Sequence, residues 1–600
     1  ACVRRISRRS GERGRGCLAL FPCWRHWHSY RFGSMAASEP PSSSMKRSRG
    51  EELLELREQD LARSGAGQAA ALAEFDAKSL KRSVLALERK VNENVELRLK
   101  HPDNPERFME SEVDLDEEIK RLQSLATTPE LYPELARLGG VPLLLSLLTH
   151  ANTSIVRDVV TLLSELLDAD SVEDRPTEAL ALTQSLLENS LVELLEQLLH
   201  GRCTNEAKDS EEADCVFQTL ALLENMVDLS PAVAEKLIRR QGKEAGPGDD
   251  QGASGGGKGK EPKGSSSAAS GSVMAWLITR VGRGENDSNR LYASEILAIL
   301  LQTSDASKRA FALELGGMEA LLQAVARYRK ANPGDAEEEE YLENVFDALC
   351  ASAMLPEGKG ELLKAEAIDL MVIMMKKRPL ARLPAMKFCN FALTDSAPAC
   401  EQFVASLGLG PLFGFFMGKG LDKGTGKKAK GKKKMKRDQA GEMQEHVVSI
   451  VTNLLHKVPL ASKSRNRVLS KFAEQECEKL DRLVELWSEY SEKIGPAADS
   501  LEPSLGEEAE EQYLELLGSG LYVLQQLALV IAYLWASGDP AVQKRLVFVM
   551  HQYGHTLREV SEVLQRQFLF VYEGQEGAKE DEEKERLKGL IEIITKSLSD

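Results

Sequence analysis

Aromatic residues and functional cysteine patterns are both scarce in this sequence. Phe, Trp and Tyr make up 6% of the 600 residues, and the nine cysteines include no CxxC pair and no regular spacing. Four of them, Cys215, Cys350, Cys389 and Cys477, fall within helical patterns. Scattered cysteines of this kind are typical of reduced, buried thiols, which argues against a disulfide framework or a zinc site.

A long, uninterrupted hydrophobic run is also lacking. The best candidate, residues 521–535, is broken by Gln525 and Gln526. A membrane-spanning helix needs about 20 predominantly apolar residues. We therefore predict a buried helix here and no membrane partner.

Catalytic and cofactor-binding patterns are missing as well. Residues 252–258 have the form GxxxxGK, but Gly259 stands where a phosphate loop needs Ser or Thr, and the surroundings are of low complexity. His551 and His555 have a metal-ligand spacing without a third ligand, and Gly554 lies between them. No Ser/His/Asp or Cys/His arrangement can be assembled. We predict no enzyme, no cofactor and no metal.

Charge is distributed unevenly along the chain. The net charge is −16, yet residues 1–50 carry eleven Lys or Arg against two acids, which leaves the remainder strongly acidic. An acidic body suits basic protein partners and argues against direct sequence-specific binding of nucleic acid. The Lys-rich stretch 427–437 has no interleaved aromatic residues, so a solvated loop is the favoured interpretation over contact with RNA.

A helical unit recurs through the middle of the chain. Small-residue turns at 138–142, 315–318 and 407–411 each precede an apolar run, which suits a helix end followed by a helix start. A longer helix with apolar residues at i, i+3, i+4 and i+7 completes each unit. These predicted third helices span 155–167, 213–229, 289–301, 341–355, 383–394 and 442–456. The spacing of these third helices predicts an all-α armadillo/HEAT-like helical-repeat superhelix, which is an α-solenoid, with atypical helical caps.

Five regions follow from these patterns. Residues 1–75 are predicted to be a disordered basic segment, 76–135 an N-terminal cap, 136–460 the repeats with disordered insertions at 242–271 and 419–437, and 461–600 a C-terminal helical region. Residues 1–34 match either a transit peptide or an upstream extension with translation starting at Met35 or Met45, and the second is favoured. The basic cluster of Lys46, Arg47 and Arg49 is a candidate nuclear-import signal.

One polar position recurs when the third helices are aligned on their apolar residues. It is occupied by Glu165, Asn225, Ser352, Asn390 and Asn453, with Ile299 as the exception, and the acids Asp168, Glu224, Asp228 and Asp347 flank it. In armadillo stacks the third helices line the concave groove. An Asn can bond the backbone of an extended peptide, and flanking acids attract Lys and Arg. The alternative is a set of ordinary solvated residues.

Several longer stretches resemble one family. Residues 101–112 read HPDNPERFMESE, 291–302 read LYASEILAILLQ, and 343–350 read ENVFDALC after Asn332 and Pro333. Residues 469–472 (LSKF) and 481–486 (DRLVEL) follow in order. From about residue 80 to about residue 535 the chain resembles the beta-catenin-like family of armadillo-repeat proteins associated with the spliceosome. It departs from that family in residues 1–34 and in both low-complexity insertions.

The resemblance implies a nuclear scaffold that acts in pre-mRNA splicing. It implies partners in the Nineteen complex, chiefly the Myb-domain cell-division-cycle-five-like splicing factor, whose basic nuclear-localisation-type segments such proteins bind. An importin-α-like transport adaptor is the alternative function. That family places Trp four residues before each groove Asn, whereas Ala221, Met386 and Ser449 stand there in this chain.

Overall fold

The computed structural model describes residues 76–203, 209–238, 271–283, 286–377, 380–419, 430–459, 461–499, 507–572 and 578–598. Three predicted features lie outside the described residues: segment 1–75 with Lys46, Arg47 and Arg49, nearly all of the first insertion, and residues 420–429 of the second. Within the described ranges every regular element is a helix. The predicted all-α class is therefore confirmed for the described residues.

The chain divides into two compact units. The N-terminal unit holds the described residues up to 370 together with those of 377–384, and the C-terminal unit holds 371–376 and the described residues from 385 onward. The helices of the N-terminal unit are α1 Ala77–Lys100, α2 Met109–Leu122, α3 Tyr132–Arg137, α4 Gly140–Ser146, α5 Thr153–Leu166, α6 Ala169–Val172, α7 Pro176–Glu188, α8 Leu191–Gln197, α9 Ser210–Leu229, α10 Val233–Lys236, α11 Val273–Gly282, α12 Ser288–Thr303, α13 Asp305–Arg309, α14 Gly317–Ala326, α15 Ala336–Ser352 and α16 Pro356–Lys364.

The unit boundary falls within α17 Ala367–Lys377 and α18 Arg382–Leu393. The later helices are α19 Ala397–Ala405, α20 Leu409–Phe416, α21 Lys430–Lys457, α22 Lys463–Ala473, α23 Glu478–Asp499, α24 Glu507–Leu516, α25 Tyr522–Ala536, α26 Pro540–Gln552, α27 Leu557–Tyr572 and α28 Ala578–Ser597.

All six predicted third helices are present, as α5, α9, α12, α15, α18 and α21. In the N-terminal unit α5 packs on α9, α9 on α12, and α12 on α15. Each of these four begins after an Asn or Asp whose side chain accepts a hydrogen bond from a backbone N–H of the first turn; the caps are Asn152, Asp209, Asp287 and Asp335. Such caps satisfy donors that a helix start leaves unpaired, so they fix where each third helix begins.

The three small-residue turns do not share one backbone conformation. What they have in common is a glycine that another side chain approaches closely. Gly139 and Gly316 are left-handed, with φ of 76° and 64°, as predicted for glycine. In the third turn Leu407 takes that conformation, with φ of 63°, and Gly408 is right-handed at −67°. In this turn the left-handed residue is therefore the one before the glycine, and not the glycine itself. The glycine is needed because a Cβ on Gly408 would lie 2.6 Å from the Phe403 ring.

One segment predicted to be disordered is partly helical. The second insertion was predicted to extend to residue 437, but α21 begins at Lys430. In the C-terminal region the charged residues from Ala578 onward are likewise helical, as the first part of α28. Lys and Glu are good helix formers, and a helix already nucleated by packed residues extends through them at little cost. In α21 Met443 is the first residue described as buried.

One helix does have the length and composition to cross a membrane, contrary to the sequence-based prediction. It runs through Gln512–Ala536. Up to three described spans qualify if the bent pairs Pro129–Arg137 with Gly140–Thr149 and Ala397–Ala405 with Leu409–Phe416 are each counted as one span. The apolar window of Gln512–Ala536 is 72% buried within the protein. Its α25 portion packs against α21, α23 and α27, so this helix is a core element of the C-terminal unit, in line with the predicted buried helix.

The cysteines in the described ranges are buried thiols that form no disulfide with one another. Cys215, Cys350, Cys389 and Cys477 were predicted to be so, and Cys203 and Cys400 behave alike. Burial raises the pKa of the Cys389 thiol, which keeps it protonated and unreactive.

Candidate protein-binding surface

The third helices of the N-terminal unit bring part of the predicted acidic set together. Glu224 and Asp228 lie one turn apart on α9, which packs between α5 and α12. Glu165 lies on α5 and Asp347 on α15. Asp228 is exposed, whereas Glu165, Glu224 and Asp347 are half-buried.

A tyrosine from α12 connects the carboxylates of α9. The Tyr292 hydroxyl donates a hydrogen bond of 2.5 Å to Glu224 Oε2, and its ring lies 5.1 Å from the ring of Phe217. Burial raises the pKa of Tyr292, and the nearby carboxylates of Glu224, Glu295 and Asp228 raise it further. We define the acidic surface as Glu224, Asp228 and Glu295 around Tyr292.

The Asp228 carboxylate is open to water and yet surrounded by protein. Its side chain is exposed, but desolvation raises the pKa of its carboxyl group. Exposure and a raised pKa occur together when solvent reaches a group from one side and protein atoms surround it on its other sides. A cation placed beside Asp228 would therefore be less screened than on a flat surface.

Asp168 has a structural role that the sequence pattern did not suggest. It is the cap of α6, and its Oδ1 accepts hydrogen bonds from the backbone N–H groups of Asp170 at 3.1 Å and Ser171 at 3.4 Å. The residue is half-buried. Its charge can still contribute to the local potential, but its position is explained by helix capping.

The asparagines of the third helices tie neighbouring helices together. Asn225 donates from Nδ2 to the Ser164 carbonyl of α5 at 3.0 Å. Further along the N-terminal unit, Asn289 donates to the Ala213 carbonyl at 2.9 Å and Asn344 to Ser294 Oγ at 3.3 Å. The sequence pattern predicted amides presented to a peptide. In the structure these amide groups donate between adjacent third helices.

In the C-terminal unit the predicted groove positions are similarly engaged. Asn453 donates to the Ser449 carbonyl at 3.0 Å and to Thr394 Oγ1 of α18 at 3.4 Å. Asn390 is only 5% exposed, and its Nδ2 lies 3.2 Å from His446 Nδ1. Asn390 is thus not an accessible groove position, because the neighbouring third helix covers it. Ser352, assigned to the same register, is fully buried in the N-terminal unit.

We expect Asn225→Ala to lower the free energy of unfolding of the N-terminal unit by about 1 kcal/mol. The Ser164 carbonyl would lose a donor from the neighbouring helix, and one intramolecular hydrogen bond has about that net value. Urea unfolding followed by circular dichroism measures the loss. Asn92→Ala, at an exposed position of α1, is the control and should be neutral or slightly stabilising. An unaltered unfolding curve for Asn225→Ala would show that the tie contributes nothing.

A charged cluster lies at the C-terminal end of α21. Lys457 Nζ lies 2.7 Å from Asp395 Oδ1 and forms a shorter ion pair with Glu583 of α28. The Tyr533 hydroxyl and His456 Nδ1 share a hydrogen bond of 2.5 Å, and Arg586 donates to the His456 carbonyl at 2.7 Å. The His456 and Lys457 hydrogen bonds lower the pKa of Glu583 to about 2 against burial. These contacts hold α28 against α21.

Comparison with known proteins decides the family. Residues 52–242 and 260–565 match the family described as "Catenin-beta-like, Arm-motif containing nuclear", which covers well over half of the chain. The chain belongs to the catenin-beta-like family. The resemblance found in the sequence motifs is thereby confirmed.

Curated members of the catenin-beta-like family are similar over most of their length. Beta-catenin-like protein 1 of Homo sapiens is 33% identical over 534 residues, which cover 86% of this chain and 86% of that protein. The protein of the same name from Bos taurus is 32% identical with the same coverage. The Schizosaccharomyces pombe homologue is 29% identical over 474 residues, covering 78% of this chain and 74% of that protein.

Solved structures bear on the fold alone. SYS-1 in its crystal complex with POP-1 aligns with a TM-score of 0.52 at 10% identity, covering 96% of this chain and 85% of that one. The predicted armadillo-type fold is thereby confirmed for this chain, and the family to which it belongs is described as Arm-motif containing and nuclear.

Metal-ligand geometry is not found in the described ranges. No group of three or more His, Cys, Asp or Glu side chains could hold a metal ion there. His555 contacts Glu559 at 2.7 Å and Ser488 Oγ at 3.1 Å, while His551 is exposed. The His551 and His555 pair thus has separate surroundings. The GxxxxGK stretch 252–258 lies outside the described residues.

Proposed function

We propose that this chain is a non-enzymatic scaffold of the spliceosome that acts in pre-mRNA splicing. It binds basic segments of partner proteins, chiefly the Myb-domain cell-division-cycle-five-like factor and other Nineteen-complex components, and it works in the nucleus. Membership of a catenin-beta-like nuclear family supports this proposal, as do the motifs shared with spliceosome-associated members. The observation that carries the mode of binding is the acidic surface around Tyr292.

The acidic surface has the chemistry to hold a Lys or Arg side chain. Glu224 and Asp228 on α9 and Glu295 on α12 supply three carboxylates around one aromatic ring. A guanidinium or ammonium group can be attracted to a tyrosine ring and to carboxylates at the same time. Importin-α-like adaptors use Trp side chains to form such a site. This chain has Ala221, Met386 and Ser449 at the corresponding positions, so the carboxylates around Tyr292 would take the place of the Trp side chains.

The remaining predicted acids extend the negative potential along the N-terminal unit. Glu165 on α5 and Asp347 on α15 belong to third helices that pack on either side of α9 and α12, and Asp168 caps α6 directly after α5. Each exposed charge pair contributes about 0.2–1 kcal/mol, so affinity depends on several acting together. Binding should weaken as salt increases, since the Debye length is about 8 Å at physiological ionic strength.

Neutralising the acidic surface should weaken binding of a basic peptide by about three- to 150-fold. The variant is Glu224→Gln, Asp228→Asn and Glu295→Gln combined, which removes three charges while the amide oxygen introduced at position 224 can still accept the Tyr292 hydrogen bond. The range follows from three contacts of about 0.2–1 kcal/mol in a partly desolvated surface. Isothermal titration with a basic segment of the Myb-domain factor measures the affinity and its dependence on salt.

The control removes the same charge from elsewhere on the N-terminal unit. Glu173, Glu319 and Glu337 are exposed, and their combined change to Gln should leave the affinity within about twofold. Equal affinities for both triple variants would place the peptide site elsewhere. Affinity purification followed by mass spectrometry tests the cellular role. Core splicing factors are expected, whereas importin-β with mixed cargo would favour the adaptor.

A further inference from the structure

The turn between α16 and α17 presents a lysine in an unusual sequence setting. Leu363, Lys364, Ala365 and Glu366 follow one another there, so the lysine comes directly after a large aliphatic residue and two positions before an acid. No other lysine of the sequence both follows Leu, Ile or Val and has Asp or Glu two positions later. The function proposed above makes no use of this segment.

The amine of Lys364 is accessible. Lys364 is the last residue of α16, and its side chain is 74% exposed. Ala365 and Glu366 are exposed as well, and Leu363 is half-buried. The ammonium group pairs with Glu361 of the same helix at 2.7 Å. An exposed ion pair of this kind is weak, so the amine can leave it for another partner.

The backbone around Lys364 is held by few hydrogen bonds and is strained at one residue. The Ala365 N–H donates to the Glu361 carbonyl at 2.9 Å, and the Glu366 N–H donates to the Leu363 carbonyl at 3.2 Å. Glu366 is left-handed, with φ of 53°, which is unfavourable for a residue that has a Cβ. Straightening this segment breaks bonds only at a helix end, where helices fray, and relieves the strain at Glu366.

We propose that Lys364 is an acceptor site for a small ubiquitin-like modifier, attached by a conjugating enzyme that binds residues 363–366 in an extended form. Lysine is the usual attachment residue for proteins of the ubiquitin class. In the small-modifier branch of that class, the conjugating enzyme itself recognises an aliphatic residue before the lysine and an acid two positions after it. Side chains two positions apart lie on the same side of an extended segment, so a cation of the enzyme that holds Glu366 also aligns the Lys364 amine.

The reaction is an acyl transfer in which nothing is oxidised or reduced. The modifier arrives as a thioester between its C-terminal carboxyl group and a cysteine of the conjugating enzyme. The uncharged Lys364 amine attacks the thioester carbonyl carbon. An amide bond forms, the carbon–sulfur bond breaks, and the cysteine leaves as a thiolate that takes up the proton lost by the amine.

Conjugation of the purified full chain tests the proposal. The chain is incubated with the modifier, its activating and conjugating enzymes and ATP, and the product is located by peptide mass spectrometry. One conjugate, at Lys364, is expected. Lys364→Arg should abolish it, because the guanidinium stays protonated and is no nucleophile. Glu366→Gln keeps the lysine and should slow conjugation about tenfold or more, since a charge-assisted hydrogen bond to the enzyme is lost.

Lys100 is the matched control. It is the last residue of α1, follows Leu99, has a 58% exposed side chain and pairs with Glu96 of its own helix. Two positions later, however, the sequence has Pro102 where Lys364 has an acid. Lys100→Arg should therefore leave the yield of conjugate unchanged. A lysine modified only because it is exposed at a helix end would be modified equally at both places.

Several results would overturn the proposal. They are no conjugate of the wild-type chain, undiminished conjugation of Lys364→Arg, full-rate conjugation of Glu366→Gln, or equal modification of Lys100 and Lys364. Attachment of ubiquitin by its own enzymes at Lys364, with no attachment of the small modifier, would overturn the choice of modifier. The substituted side chains are exposed, so each variant should unfold at the wild-type temperature, which thermal unfolding checks.

Discussion

Gly358→Ala should destabilise the N-terminal unit by about 3 kcal/mol or more. A Cβ on Gly358 would lie 2.0 Å from the Ser352 carbonyl oxygen and 3.0 Å from its carbonyl carbon. Ser352 ends α15 and Gly358 lies in the first half of α16, so the close approach joins two consecutive helices. A side-chain neighbour could rotate away, but a backbone carbonyl cannot, and the joint must open. Overpacking costs about 1–3 kcal/mol where side chains can adjust.

The matched control lies two residues along the same helix. A Cβ on Gly360 meets nothing within 4 Å. Gly360→Ala should therefore stabilise α16 by about 0.5–1 kcal/mol, because alanine restricts the unfolded chain and favours a helix. Thermal unfolding of both variants gives the comparison, and hydrogen exchange in α15 and α16 locates the change. Similar melting temperatures for the two variants would contradict the predicted clash.

Docking of α28 should weaken in acid, and Glu583 should account for the weakening. The pKa of Glu583 is lowered from an ordinary 4.5 to about 2 by hydrogen bonds from His456 and Lys457. A group with a depressed folded-state pKa contributes stability that is fully present above its unfolded pKa and lost as pH falls through the folded pKa. Its contribution should be roughly 2–3 kcal/mol above pH 4.5 and should disappear progressively towards pH 2.

The difference between the wild-type chain and Glu583→Gln isolates this effect. We expect a difference of about 2 kcal/mol in the free energy of opening α28 at pH 6, and a much smaller difference at pH 3. Hydrogen exchange in α28 and in the end of α21 measures it. Glu585→Gln on the same helix is the control, because the Glu585 side chain is 72% exposed and its ion pair is with nearby Lys588 of the same helix. A pH-independent difference for Glu583→Gln would show that its charge is not what holds α28.

The third helices could be predicted from the sequence because their signal is local. Apolar periodicity is a property of one helix, and it identified α5, α9, α12 and α15 within a few residues. The extent of α21 and α28 could not be predicted in the same way. Composition indicated a solvated loop at 427–437, and it gave no start for α28. Helix growth at these places depends on the packing of α21 and on the pairing of Glu583 with Lys457 across 126 residues.

The acidic surface was predicted in part, and the missing part has a physical reason. Alignment by register found Glu224 and Asp228, which share one face of α9. It missed Glu295 and Tyr292, because the register chosen for α12 fell on Ile299, one turn further along. It also predicted that the side chains of Asn225 and Asn453 bind a peptide ligand. Whether an amide donates outward or to the next helix depends on the spacing of packed helices, and spacing is not encoded in one helix alone.

The turns described above change what a repeat profile of this family should weight. Gly140, Gly317 and Gly408 share the lack of a Cβ beside Leu135, Phe311 and Phe403, whereas the residue before each of them is Gly, Gly and Leu. A profile that rewards the left-handed glycine would shift the third unit by one residue and misplace every side chain of its next helix. Aligning the units on Gly140, Gly317 and Gly408 instead keeps equivalent side chains in register. That register is what is needed to graft one unit of this scaffold in place of another.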